Sequence, residues 1–303
     1  MYIMNIMNII NTESYNNNFL KRFTFNKKLG SGSFSTVYSV YDKLNSRKVA
    51  LKINKNNKCF KNEISILSKL RSKEKNNIIK LLETFYYDNT EYTILKMYDI
   101  SLKEYIKTYS SSVEKTIYIT RRINKGLIYL KKNNIIHCDI KPDNILFKDS
   151  KLNDIVIIDF GISLTKTKNY NNNVIQTIYY RAPEILLNTK FDSKIDMWGL
   201  GCVIYEIFYR VPLFPYKKTD ELFLNQNIIL DSPSSNFIKK YPTIHSFYDN
   251  INSPSYLLHK GLMYAFKHYK FLEIHDERRI IDLVLTCCKW DPLERPYPEE
   301  FII

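Results

Sequence analysis

The run Ile136-His137-Cys138-Asp139-Ile140-Lys141-Pro142-Asp143-Asn144-Ile145-Leu146 concentrates more reactive side chains than its surroundings. A carboxylate at Asp139, an ammonium at Lys141 and a carboxamide at Asn144 put three functions into one loop: a base or orienting group, a cation able to neutralise phosphate, and a metal-binding oxygen. Asp159 follows in Ile157-Ile158-Asp159-Phe160-Gly161. Asn144 and Asp159 together offer the sparse oxygen set that suits magnesium, which leaves room in its shell for substrate phosphate.

Upstream, Leu29-Gly30-Ser31-Gly32-Ser33-Phe34-Ser35-Thr36-Val37 reads as strand, turn, strand. Glycines there let backbone amides approach phosphate oxygens with no Cβ in the way. The same spacing serves an ordinary hairpin, and this segment alone does not choose. Val49-Ala50-Leu51-Lys52 is an apolar strand ending in a lysine. Such a lysine is costly to bury unless paired, and Glu63 on the following helix is the partner within reach. A surface lysine and a surface glutamate are the plainer alternative.

Around these segments the apolar periodicity changes once. Strands are expected at Phe23 to Leu29, Ser35 to Tyr41, Lys48 to Ile53, Ile78 to Tyr86 and Tyr92 to Lys96, with a helix at Lys61 to Leu70 between the third and fourth. From Leu102 onward the spacing is helical, over Leu102 to Tyr109, Val113 to Lys131, Ala182 to Leu187, Lys194 to Phe208, Asp220 to Leu230, Leu257 to Tyr269 and Glu277 to Lys289. The expectation is an α+β protein of two lobes: a leader over residues 1–22, a small five-stranded antiparallel sheet lobe with one main helix over 23–97, and a larger, mostly helical lobe over 98–303. A cleft between lobes is a usual place for a ligand.

Composition bounds the rest. Hydrophobic residues at 45% and charged residues at 25% are ordinary globular values. The apolar start, Met1 to Ile10, is broken by Asn5 and Asn8 and lacks a basic flank, which argues against a signal peptide. No run reaches the roughly 18 apolar residues of a membrane helix. The five cysteines are scattered without CxxC spacing, so neither a disulfide framework nor a zinc site is expected. These readings lead to a soluble, intracellular protein, cytoplasmic or nuclear, with no membrane partner; a monomer is expected. The net charge of +14 is spread along the chain, which reads as a solvated lysine-rich surface, with nucleic acid as the alternative partner.

Taken in order, these segments resemble the signature set of the eukaryotic-type protein kinases, from about Phe23 to Arg295. Ala182-Pro183-Glu184, Asp196-Met197-Trp198-Gly199 and Arg295 resemble three later motifs of that family. Ile175 to Glu184 is similar to the CMGC group, and with His137-Cys138-Asp139 it is most similar to the branch holding the SR-protein kinases and the tyrosine-regulated dual-specificity kinases.

The resemblance implies ATP and magnesium as cofactors, with protein serine or threonine hydroxyls as acceptors. It assigns the nucleotide to Leu29, Gly30, Ser31, Gly32, Ser33, Phe34, Ser35, Val37, Lys52 and the hinge at Met97, with Leu95 as gatekeeper. It assigns catalysis to Asp139, Lys141, Lys52 and Glu63, and the metal to Asn144 and Asp159. Thr177 is expected to bond Lys141 and Asp139, and Arg181 to shape a pocket that favours proline after the acceptor. A catalytically impaired scaffold and a basic nucleic-acid-binding protein are the alternatives from other classes.

Four departures carry expectations of their own. Ser35 stands at the third glycine of the loop. Cys138 stands where the family has an arginine that grips a phosphorylated activation segment, and Val174 about where the regulatory tyrosine stands, so a phosphorylation switch is expected to be missing. The stretch from Lys52 to Glu63 is short for the family, which raises a displaced helix as the alternative to a formed pair.

Overall fold

The computed structural model describes residues 21–70, 76–165, 175–230, 232–248 and 275–303. Strands β1 (Phe23–Ser31), β2 (Ser35–Asp42) and β3 (Arg47–Asn54) form an antiparallel meander, followed by helix α1 (Asn57–Leu70) and strands β4 (Leu81–Tyr87) and β5 (Thr90–Lys96). The sheet order is β1-β2-β3-β5-β4. Strand alternation sorts β3 between two faces. Val49 and Leu51 pack with Phe23, Val40 and Ile94 in a cluster on one side, while Ala50 belongs to the main core on the other.

The β4–β5 hairpin closes on Asp88 and Asn89, both at positive φ (44° and 53°), between the paired Tyr87 and Thr90. Asp and Asn tolerate that conformation, and a two-residue turn of this kind matches the twist of the strands. The fourth strand starts later than the periodicity predicts, because Ile78 leaves the sheet to bridge Ile157 in parallel. Helix α1 starts four residues before the expected Lys61.

Beyond β5 come α2 (Leu102–Thr108) and α3 (Val113–Lys132), capped by Ser101 and Ser112, whose hydroxyls accept from the amides of Glu104 and Lys115. Four short strands, β6 (Ile135–Ile136), β7 (Ile145–Phe147), β8 (Ile155–Ile157) and β9 (Leu164–Thr165), pair β6 with β9 and β7 with β8. They brace the loop of residues 137–144 at both ends. Helices α4 (Pro183–Leu186), α5 (Lys194–Tyr209), α6 (Thr219–Leu230), α7 (Ser235–Lys240), α8 (His245–Tyr248) and α9 (His275–Cys287) complete the helical part. The expected helix at Leu257 to Tyr269, Val174 and most of the expected leader lie outside the described residues.

Helix α5 is buried almost all round, as a helix apolar on every face must be. Two glycines allow its neighbours in. A Cβ on Gly201 would lie 2.5 Å from the Cys288 sulfur, and one on Gly199 would lie 3.0 Å from both Cβ and O of Ile140. All five cysteines are free. No helix among the described residues is long and apolar enough to cross a membrane.

Arg22, the last residue of the expected leader, forks between two carboxylates. Its Nε donates to Asp42 Oδ1 at 2.9 Å, and its two terminal nitrogens donate to Glu83 Oε1 and Oε2 at 2.8 and 2.6 Å. The guanidinium holds Asp42 well below the usual carboxylate range, at about 2. Arg22→Ala should cost roughly 1.5–3 kcal/mol, the scale of hydrogen bonds to charged groups. Because the folded pKa of Asp42 is depressed, this contribution is present above the unfolded value of about 4 and fades toward pH 2. Urea titrations of both proteins should therefore show the gap narrowing as pH falls below about 4. A gap independent of pH would show that the fork does not act through Asp42.

Gly199→Ala tests the contact between α5 and the reactive loop. A methyl group 3.0 Å from Ile140 O must push the chain between Asp139 and Lys141, so we expect a loss of roughly 1–3 kcal/mol in thermal unfolding. Wild-type stability in this variant would refute the close approach.

Candidate active site

Lys52 enters the site through the register of the sheet. In β3 it pairs with Val37 on one side and Thr93 on the other, on the same face as Ala50. That face looks toward α1, and Lys52 Nζ reaches Glu63 Oε2 at 2.7 Å and Oε1 at 2.9 Å. The short stretch between them does not displace the helix. Helix α1 starts three residues after β3 ends, with the Lys55 amide on Phe34 O at 2.8 Å and the Cys59 amide on Asn56 Oδ1 at 3.0 Å fixing the corner.

Lys52 Nζ also lies 3.1 Å from Asp159 Oδ1. Burial works against the charge of Lys52, but Glu63 and Asp159 more than offset it, and its pKa is raised. Burial likewise opposes the charge on Asp159, yet the nearby ammonium wins and holds the carboxyl below its ordinary value. Asp159 therefore stays ionised, on a backbone at φ 64°. Such a left-handed non-glycine residue is uncommon and tends to mark a functional site.

The loop from His137 to Asn144 hangs on α5. Asp196, in the first turn of that helix, accepts the amides of His137 at 2.7 Å and Cys138 at 2.9 Å, one on each oxygen. Burial pushes the Asp196 carboxyl up to about 7, against the pull of those two amides. His137 is buried and its pKa is lowered by that burial. Its Nδ1 accepts from the Asp139 amide at 3.2 Å, which assigns the proton to Nε2, 2.9 Å from Ile158 O. Cys138, at φ 68°, is fully buried with its sulfur 3.5 Å from Ile136 O.

Every polar neighbour of Asp139 is placed. Its Oδ1 accepts from Thr177 N at 3.0 Å and Thr177 Oγ1 at 2.8 Å, and its Oδ2 accepts from Asn144 Nδ2 at 2.9 Å. Lys141 Nζ stands 2.7 Å from Asp139 Oδ2 and 2.7 Å from Thr177 Oγ1. The Thr177 hydroxyl thus accepts from Lys141 and donates to Asp139, as the resemblance implies. With its nitrogen committed to Asp139, the Asn144 carboxamide turns its oxygen the other way.

The glycine-rich turn is exposed from Leu29 to Phe34, while Ser35 and Val37 are half-buried. Neither Gly30 nor Gly32 has a positive φ, and a Cβ on either would meet no protein atom within 4 Å. The hairpin therefore does not require glycine for its own geometry. Met97 is half-buried between β5 and α2, and Leu95 is buried beside Ala50.

Asn144 and Asp159 supply two hard oxygen groups, one neutral and one ionised. Among the described residues no group of three or more His, Cys, Asp or Glu could hold a metal ion. Two donors fit a cation that draws the rest of its shell from water and phosphate, as magnesium does. They do not fit a zinc or calcium cage.

The segment following the site is held just as tightly. Gln176, at φ 61°, donates its amide to Cys138 O and its Nε2 to Ile195 O, and its Oε1 accepts from the Ala182 amide. Its backbone carbonyl accepts from Arg181 at 3.0 Å. Further down, Arg295 meets Glu184 with two 2.6 Å bonds, fully buried, and spends its other hydrogens on Lys289, Lys194 and Trp290 carbonyls. Sequence reading missed Asn62, which donates to three backbone carbonyls beside Asp159. The available signal was an asparagine inside a helix, where its propensity is poor.

The family model described as "Protein kinase domain" matches residues 23–302. Over 92% of its length the chain is 32% identical to the probable serine/threonine-protein kinase dyrk2 of Dictyostelium discoideum. Over the same share it is 30% identical to dual specificity tyrosine-phosphorylation-regulated kinase 4 of Homo sapiens. The alignments cover 32% and 56% of those proteins, so the chain spans only part of their length. A crystal structure of a kinase domain superposes with a TM-score of 0.82 at 26% identity, covering 93% of this chain and 94% of that one. By the match of residues 23–302 to that family model, the chain belongs to the protein kinase domain family.

Proposed function

We propose that this protein transfers the γ-phosphate of ATP to serine or threonine hydroxyls of protein substrates, with the nucleotide held between units 23–97 and 98–303. The single observation that supports this best is the arrangement about Asp139. Its carboxylate is oriented by Thr177 and Asn144, with the Lys141 ammonium 2.7 Å away.

In this reading Asp139 accepts the proton of the acceptor hydroxyl, and Thr177 and Asn144 keep the receiving oxygens in place. Lys141 neutralises charge on the phosphoryl being transferred, and Lys52, held by Glu63, contacts the other phosphates of ATP. Asn144 and Asp159 are the residues that would hold magnesium. The metal, when bound, supplies charge neutralisation at the phosphoryl oxygens. The open space at Gly30 and Gly32 lets backbone amides approach those oxygens.

Asp139→Asn and Lys52→Met should each lower phosphorylation of a protein substrate by roughly a hundredfold or more. Asp139→Asn should leave the unfolding midpoint near wild type, whereas Lys52→Met strands the buried Glu63 carboxylate and should lower it. Asp159→Asn should act similarly and raise the magnesium requirement. Full activity in Asp159→Asn would remove the metal assignment.

A preference for proline after the acceptor is also proposed. The Gln176 carbonyl is turned by its positive φ onto Arg181, so it is not offered to an incoming substrate amide. An ordinary residue would leave its N–H unsatisfied there, and proline has none to leave. On a peptide array with radiolabelled ATP we expect serine and threonine acceptors followed by proline to label most strongly. Stronger labelling of tyrosine peptides, or of peptides with arginine after the acceptor, would overturn the specificity.

A further inference from the structure

Cys59, Asn62, Glu63 and Ile66 share one face of α1 by their spacing. Two of them have evident duties. Glu63 meets Lys52, and the Cys59 Cβ lies 3.4 Å from where a Cβ on Gly161 would stand, so the helix runs close against the chain just after Asp159. Asn62 lies between these contacts. Its Nδ2 donates toward Ser163 O at 2.7 Å, Gly161 O at 3.1 Å and Phe160 O at 3.3 Å.

A carboxamide nitrogen carries two hydrogens, so three carbonyls on it mean that one hydrogen is shared. Three converging acceptors also settle which end of the amide faces them. An oxygen there would confront three oxygens. The same short segment is anchored on its far side, where Ser163 Oγ donates to His137 O at 2.8 Å and Ser163 N donates to Phe160 O at 3.2 Å. Two side chains, Asn62 and Ser163, therefore link α1, the residues after Asp159 and the loop hung on Asp196.

Such a link matters more here because of Cys138. Its side chain is buried against Ile136 O and offers no cation to a phosphorylated segment. We propose that Asn62 is a positioning residue: its amide, clamped on the carbonyls of Phe160, Gly161 and Ser163, holds α1 at the depth where Glu63 meets Lys52, so the site stands assembled without phosphorylation of the segment. The consequence for activity rests on the kinase reading given above. The consequence for the helix does not.

The test uses the full chain with Asn62→Asp, which keeps the shape but replaces the donor by a carboxylate, and Asn62→Ala, which removes the donor without adding charge. Hydrogen exchange over residues 57–70 is measured without nucleotide, alongside kcat, the KM for ATP and the unfolding midpoint. Exchange in that helix should accelerate about tenfold or more relative to the other elements, and kcat should fall on the order of a hundredfold for Asn62→Asp, with a smaller fall for Asn62→Ala. Wild-type protein treated with phosphatase should keep its kcat. If Asn62→Asp does not fold, Asn62→Ala carries the same comparison.

Wild-type exchange in residues 57–70 of Asn62→Ala, or an equal acceleration across every element, would overturn the clamp. Loss of most wild-type activity on phosphatase treatment would overturn its independence from phosphorylation. If wild-type protein and Lys52→Met both fail to phosphorylate any substrate, the kinase reading falls, and the exchange comparison still decides whether Asn62 holds the helix.

Discussion

The acceptance of two successive backbone amides by Asp196 is the constraint on which the site depends. A loop carrying Asp139, Lys141 and Asn144 has no ladder of its own, and its amides need partners if it is to be buried. Asp196 supplies both from the first turn of α5, where a carboxylate also sits favourably against the helix dipole. The helix itself is enclosed by the core, with Gly199 drawn up to Ile140 from the same side. The reactive loop thereby inherits the rigidity of a long, deeply buried helix.

From that anchor the polar groups form one connected set. His137 joins the loop to Ile158, just before Asp159, and Asp159 joins the far lobe through Lys52. Lys52 and Glu63 are both buried, a costly arrangement for two charges unless each is answered closely. Here the ammonium is answered by two carboxylates. Charge pairing across the cleft thus makes the position of α1 part of the chemistry, and the geometry of each side depends on the other.

The departures from the family pattern fall together. The arginine that would grip a phosphate is replaced by a buried cysteine, and an asparagine on α1 bonds the neighbouring backbone directly. A neutral amide on neutral carbonyls needs no counter-charge, and its strength is insensitive to the ionic conditions that screen phosphate contacts. The segment after Asp159 is held by hydrogen bonds that are present as soon as the chain has folded.

Much of this was legible in the chain. The apolar run from Val49 to Leu51 and the break in period after Lys96 are local signals, and local signals survive in a one-dimensional reading. So do Lys52, Asp139, Lys141, Asn144 and Asp159, because their types and spacing carry chemistry. Ile78 was misplaced into a strand, since its apolar character suits a bridge to Ile157 as well as a ladder, and periodicity does not distinguish the two. The sequence by itself determined the strands and helix of the small lobe, the longer helices beyond it and the residues that can react. The short strands β6 to β9 and helices α7 and α8 carry too little periodicity to be read. Only the tertiary structure decided that Glu63 reaches Lys52 despite the short connection, that Asp196 carries the loop, and that Asn62 faces three carbonyls. These are contacts between residues up to about a hundred positions apart, and their distances are set by how packed elements meet and not by any pattern along one of them.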